Sequence, residues 1–159
     1  MKLENMYQEI ILDHYKHPHG KGLAEQFDAE VHHVNPTCGD EITLRVTRNE
    51  DGKLQVSYDS MGCSISQASA SIMFDQINNQ DFEFGEAAVE HLVAMLQRTV
   101  EADEDVLGDG IALAGVAQYP ARVKCALLAW MAWKDAAIQA GVEGTLEVKN
   151  SAESNKEQS

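Results

Sequence analysis

Along the first residues, Leu3, Met6, Tyr7, Ile10, Ile11 and His14 recur at three- and four-residue steps, the spacing of one face of an amphipathic helix over residues 3–16. His17-Pro18-His19-Gly20-Lys21-Gly22 then has turn chemistry and no periodicity, so residues 17–29 read as a surface loop, its histidines included. The period next changes to two. Residues 30–34 predict a short strand with Val31 and His33 on one face. Residues 40–48 alternate with Ile42, Leu44 and Val46 on one side and Thr43, Arg45 and Thr47 on the other. Leu54, Val56 and Tyr58 repeat the alternation over residues 53–60. Asn49-Glu50-Asp51-Gly52 between these runs predicts a hairpin turn, Asp-Gly supplying the positive φ.

From residue 64 the pattern is helical again. Ser64 or Ser66 can cap a helix carrying Ile65, Ala68, Ser69, Ile72, Met73 and Ile77. A second is expected over residues 86–100, with Val89, Leu92, Val93 and Leu96 inward. Residues 101–119 combine an acidic run with Gly108-Asp109-Gly110 and give no clear element; no Gly-Lys-Ser/Thr follows, so the glycines are not a phosphate loop. Pro120 suits the first turn of a last helix and Gly141 its C-terminal cap. On that helix, Trp130 and Trp133 read as core and rim. Strands first and helices after predict an α+β fold, a small antiparallel three-stranded sheet with helices packed on one face. One domain over residues 1–141 is expected, with a polar tail over 142–159 that reads as disordered.

A formal net charge of −14 argues against a nucleic-acid partner, since phosphate contact needs basic surface. No apolar run approaches the ~20 residues of a membrane span, and the first residues lack the layout of a signal peptide, so no membrane association and a cytoplasmic location are expected. Thiols stay reduced there, which turns attention to Cys38, Cys63 and Cys125, the only cysteines in 159 residues. Cys38 and Asp40 stand two apart at the mouth of a strand, where side chains at i and i+2 share a side. Cys63 precedes a helix, whose N-terminus favours a thiolate. Cys125 falls one turn into the last helix. Three thiolates and one carboxylate suit tetrahedral Zn²⁺, and their sum of about −2 invites a nearby cation such as Arg122 or Lys124. Spacing alone leaves a second reading open, three separate buried cysteines acting as small apolar side chains, because the paired Cys-x-x-Cys signal is absent.

Three motifs add to this. Asn35-Pro36-Thr37-Cys38-Gly39-Asp40, the run from Met61-Gly62-Cys63 through Ser71, and Tyr119-Pro120-Ala121-Arg122-Val123-Lys124-Cys125 through Trp130 resemble the cysteine motifs of the NifU/IscU-like iron–sulfur cluster assembly family. Tyr7 to Pro18 resembles that family's first helix, and the match runs in order over roughly residues 3–141. The scaffold branch usually has His before the third cysteine and a proline-rich sequence ahead of it. Here Lys124 occupies that place, the proline-rich sequence is missing, and the segment between Cys63 and Cys125 is longer. These features resemble the SufU-type branch, zinc-bound sulfur acceptors for a PLP-dependent cysteine desulfurase (SufS-type).

The resemblance implies Zn²⁺ held by Cys38, Asp40, Cys63 and Cys125, with Cys38 as the persulfide carrier. It implies Arg122 as a partner contact, and as partners the desulfurase and downstream cluster-assembly proteins. The chain would then be a sulfurtransferase-type carrier that activates the desulfurase. The alternative is a scaffold that builds an iron–sulfur cluster on the same residues, with iron or the cluster in place of zinc.

Overall fold

Strand β2 (Asp40–Arg48) is the centre of the sheet, and every second residue from Asp40 to Val46 is buried. β1 (Ala29–Asn35) and β3 (Leu54–Met61) flank it, both antiparallel. The register places Asn35 opposite Asp40, Val31 opposite Leu44, and Leu44 opposite Tyr58. The computed structural model describes residues 3–141; the tail expected over 142–159 lies outside the described residues. The hairpin at Gly52, with φ of +88°, forms as its Asp-Gly signal predicts.

The helices are α1 (Leu3–Lys16), α2 (Ser64–Ile77), α3 (Phe82–Leu96), the single turn α4 (Glu104–Leu107) and α5 (Pro120–Gln139). Residues Gly108–Gln118 run as 3₁₀ turns between α4 and α5. The α+β expectation is borne out: α5 lies against β1 and β2, α2 packs on α5, and α1 packs outside on α2 and the 3₁₀ run. Across the opposite face of the sheet lies the segment after α1. Arg45 Nη1 donates to the Ala24 carbonyl at 2.7 Å and Thr47 Oγ1 to that of Gln26 at 3.2 Å. Met6, expected inward, is 45% exposed, whereas His14 is 2% exposed.

Two expectations shift. The third helix begins at Phe82, not 86, because Asp81 caps it by accepting from the Phe84 N–H at 2.8 Å. Gly85 sits inside this helix instead of ahead of it. It is needed there: a Cβ at Gly85 would stand 2.2 Å from the Trp133 ring. The helix ends at Leu96, and Arg98 turns the chain away with φ of +64°. Trp133, expected at the rim, is fully buried like Trp130 and stacks on Phe82 with ring centroids 5.7 Å apart.

α2 and α5 meet through small side chains. Trp130 Nε1 donates to Ser69 Oγ at 2.9 Å, and Ser69 Oγ donates to the Ala126 carbonyl at 2.6 Å. Buried Ala68, Ala70, Ala126 and Ala129 let the backbones approach, which sets the height of α5 on the sheet. Gly141, with φ of +79°, closes α5 as expected.

Gly85→Ala is expected to cost about 1–3 kcal/mol, the range for overpacking a tight core. Urea unfolding checks it, and an unchanged midpoint would mean that Trp133 moves aside freely.

Candidate functional site

The β1–β2 connection is built by one carbonyl. Asn35 O accepts from the Cys38 N–H at 3.2 Å and the Gly39 N–H at 2.9 Å. Gly39 takes φ of +75°, which returns the chain to the sheet. Cys38 is thereby held in the turn, half-buried, ahead of α5. Its Sγ lies 3.3 Å from Cys125 Sγ and 3.9 Å from the Ala121 carbonyl. Cys125 is buried one turn into α5. The Cys38, Asp40 and Cys125 ligand atoms all lie within 4.8 Å of one another.

Asp40 has no solvent exposure. Its Oδ1 accepts from the backbone N–H of Cys63 at 2.8 Å, and its Oδ2 lies 4.0 Å from Cys63 Sγ. Cys63 thus joins the other three through Asp40. It stands at the N-cap of α2 with its thiol making no capping bond, so the sulfur faces the site at the positive end of the helix. Gly62 makes the approach of α2 to Asp40 possible. Its φ is +139°, and a Cβ there would stand 2.2 Å from Asp40 Oδ1.

The charges follow from these contacts. Burial pushes the Asp40 carboxyl up, but contacts with the Cys125 thiol, the Cys63 N–H, Ser66 and the Cys63 thiol outweigh it and leave it below the ordinary value. The Cys125 thiol is pushed well up, first by burial and then by the neighbouring Asp40, Cys38 and Cys63. Without a cation the negative charge therefore rests on Asp40 and the proton on Cys125. Arg122, fully exposed, lies beside Cys63 and Cys125, whose thiols raise its pKa further. Lys124 instead lines a cleft with Val34, Pro36, Thr37, Leu127 and Met131.

Of the four predicted ligand positions, Cys38, Asp40 and Cys125 lie in mutual reach, and Cys63, from a third stretch of chain, meets them at Asp40. Asn35 is the residue that the sequence reading left without a role. It is buried opposite Asp40, and its Nδ2 points at Asp40 Oδ2 (3.4 Å) and Cys125 Sγ (3.6 Å). Its place at the head of the Cys38 motif was in view, but what gives it a role is the strand register that sets it across from Asp40.

A second group with ligand chemistry, His14, His19 and Asp75, lies elsewhere. Hydrogen bonds account for it. Ser71 Oγ accepts from the His19 backbone N–H at 2.8 Å, which leaves its hydroxyl to donate to His14 Nδ1 at 2.7 Å. His14 Nε2 then donates to Asp109 at 2.9 Å, and His19 Nδ1 pairs with Asp75 at 2.7 Å. His19 is therefore tied to α2, more than its reading as loop surface implied.

This fold and this site define a class. The model of the NifU-like N terminal domain matches residues 6–126, and the chain belongs to that family, which takes in the IscU and SufU proteins. Among curated relatives, the zinc-dependent sulfurtransferase SufU of Bacillus subtilis is 40% identical over 130 residues, covering 82% of this chain and 88% of that one. The iron–sulfur cluster assembly scaffold protein IscU of Streptococcus pyogenes is 38% identical over 135 residues, covering 85% and 84%. A crystal structure from Fervidobacterium islandicum AW-1, described as a scaffold for iron–sulfur cluster assembly in the SUF system, superposes with a TM-score of 0.75 at 33% identity, covering 85% of this chain and 98% of that one. Among the described residues no helix is long and apolar enough to cross a membrane.

Gly62→Ala and Gly39→Ala separate backbone strain from crowding. Gly39 has open space around it, so alanine there costs the left-handed penalty of about 1–2 kcal/mol. Gly62→Ala carries strain of that order and also drives into Asp40. It is expected to be the more destabilising in urea titrations; equal losses would show that Asp40 is not pinned by α2.

Proposed function

We propose that this protein is a zinc-dependent sulfur acceptor for iron–sulfur cluster assembly, taking sulfur from a PLP-dependent cysteine desulfurase onto Cys38. The observation that carries the reading is the convergence of Cys38, Cys63 and Cys125 around the buried Asp40.

The donor set fits the ion. Tetrahedral zinc with bonds of about 2.3 Å to sulfur and about 2.0–2.2 Å to oxygen needs sulfurs about 3.8 Å apart and sulfur about 3.6 Å from oxygen; the Cys38 and Cys125 sulfurs are 3.3 Å apart, and the Cys63 sulfur is 4.0 Å from Asp40 Oδ2. Cys38, Asp40, Cys63 and Cys125 would hold the metal. Bound zinc would take the place of the Cys125 proton and keep the thiols deprotonated and shielded.

The rest is the work of the chain. Cys38 lies in a turn and is partly accessible, whereas Cys125 is buried in a helix and Cys63 sits at the head of one. Cys38 is thus the one of the three that combines partial accessibility with a place neither in a helix nor at the head of one. Freed by a partner, the Cys38 thiolate attacks the outer sulfur of the desulfurase persulfide. The donor's S–S bond breaks, the donor cysteine leaves as thiolate, and Cys38 becomes the persulfide, with no net oxidation. Exposed Val34, Met61, Tyr119 and Met131 lie near these cysteines in the chain, the kind of apolar surface a docking partner covers. Arg122 supplies a cation among them for an acidic group of the partner.

A second reading has its own support. Relatives named as IscU scaffolds match at 38% and 36% identity, beside 40% for the zinc-dependent sulfurtransferase. In that reading the same residues hold a growing iron–sulfur cluster. One experiment separates the two. After incubation with a cysteine desulfurase and cysteine, intact mass should rise by ~32 Da and peptide mapping should place the sulfur on Cys38. Cys38→Ser should abolish the adduct while the protein stays folded. An adduct that persists in Cys38→Ser, or wild-type protein that instead develops a cluster chromophore, contradicts the proposal.

A further inference from the structure

We infer that Asn35 is a positioning residue for the metal site: its side-chain amide holds Asp40 and Cys125 in place as ligands. This rests on the metal reading above.

The geometry comes from the hairpin. Asn35 ends β1 directly across from Asp40, which begins β2, so the two side chains leave the same face of the sheet toward α5. Asn35 is 5% exposed. Its Nδ2 carries two hydrogens and faces two acceptors, Asp40 Oδ2 at 3.4 Å and Cys125 Sγ at 3.6 Å. The second distance is ordinary for the larger sulfur atom. The orientation of the amide is set by charge. Turned over, it would aim its oxygen at a carboxylate and a sulfur that is anionic once metal is bound. The backbone carbonyl of the same residue makes the turn that carries Cys38. Asn35 thus addresses three of the four ligand residues, and its side chain and main chain can be tested apart.

Physically the amide does two things. Asp40 Oδ1 is fixed by the Cys63 N–H, and the Asn35 N–H fixes the rotation of the other oxygen, so Oδ2 is presented to the cysteines. An N–H beside Cys125 draws charge from a thiolate that burial would otherwise leave poorly stabilised. Both effects spread an excess of negative charge that the metal alone does not cancel.

The test uses Asn35→Leu, of similar size with no donor, and Asn35→Ala, which cannot clash; both leave the main-chain turn intact. Zinc affinity is measured by chelator competition, and cobalt(II) replaces zinc to report the thiolates through their sulfur-to-cobalt charge-transfer band. The inference expects affinity to fall about 10–100-fold, the usual effect of losing an outer donor. It also expects the charge-transfer band to move to longer wavelength, because the Cys125 electrons are no longer held by an N–H. Wild-type affinity and an unmoved band in a variant folded by far-UV circular dichroism would overturn the inference. So would lost affinity without a band shift, or failure of both variants to fold, since either makes Asn35 a folding residue only. Wild-type protein with no sulfur-to-cobalt band at all would overturn the metal reading and this inference together.

Discussion

Asp40 is an anion without solvent, and the structure around it is arranged to make that tolerable. A buried carboxylate costs several kcal/mol unless hydrogen bonds and opposite charge offset it. The Cys63 N–H supplies the strongest bond, at 2.8 Å, and the amide of Asn35 faces the other oxygen. The first of these contacts joins the start of β2 to the start of α2, and the second joins it to the end of β1. Removing the carboxylate would therefore loosen three elements at once. Opposite charge is what the described residues supply least: Arg122 stands beside the thiols, but in solvent. In the proposed reading, a divalent cation among Asp40 and the cysteines would supply the largest share of it, and Arg122 and the N–H donors would face the charge that is left.

Hydrophobic packing sets where the fourth residue arrives. The buried face of β2 carries Asp40 in line with Ile42, Leu44 and Val46, so the site is one end of the core and not an addition to it. α5 rests on that face, and its depth is fixed by alanines and by the Trp130–Ser69–Ala126 hydrogen-bond chain to α2. Cys125 immediately precedes Ala126 on the helix so held. The sulfur it presents to Cys38 and Asp40 is placed by the same contacts that stabilise the fold.

The elements were legible wherever a period ran uninterrupted. The alternation of Ile42, Leu44 and Val46 gives the central strand, and Asp-Gly and Pro120 give the turn and the helix start that are seen. Legibility failed where a tertiary contact overrode a local rule. The third helix was expected from residue 86, but Asp81 caps a start at Phe82, and the ring of Trp133 takes the space that Gly85 leaves inside the helix. Residues 101–119 gave no period because they form a single α turn followed by 3₁₀ turns. Within the site, Cys38, Asp40, Cys63 and Cys125 were visible as residue types beside turn and helix-start signals. Asn35 was not, because its role depends on the strand register that sets it across from Asp40 and on a helix ninety residues away.

The central claim is that three sulfurs and one carboxylate oxygen share a single zinc ion. X-ray absorption at the zinc edge, on protein purified without added metal, tests it most directly. The account predicts three sulfur scatterers at about 2.3 Å and one oxygen at about 2.0–2.2 Å. A zinc shell of nitrogen and oxygen alone, or an iron edge with the short iron–iron distance of a cluster in place of zinc, would contradict it.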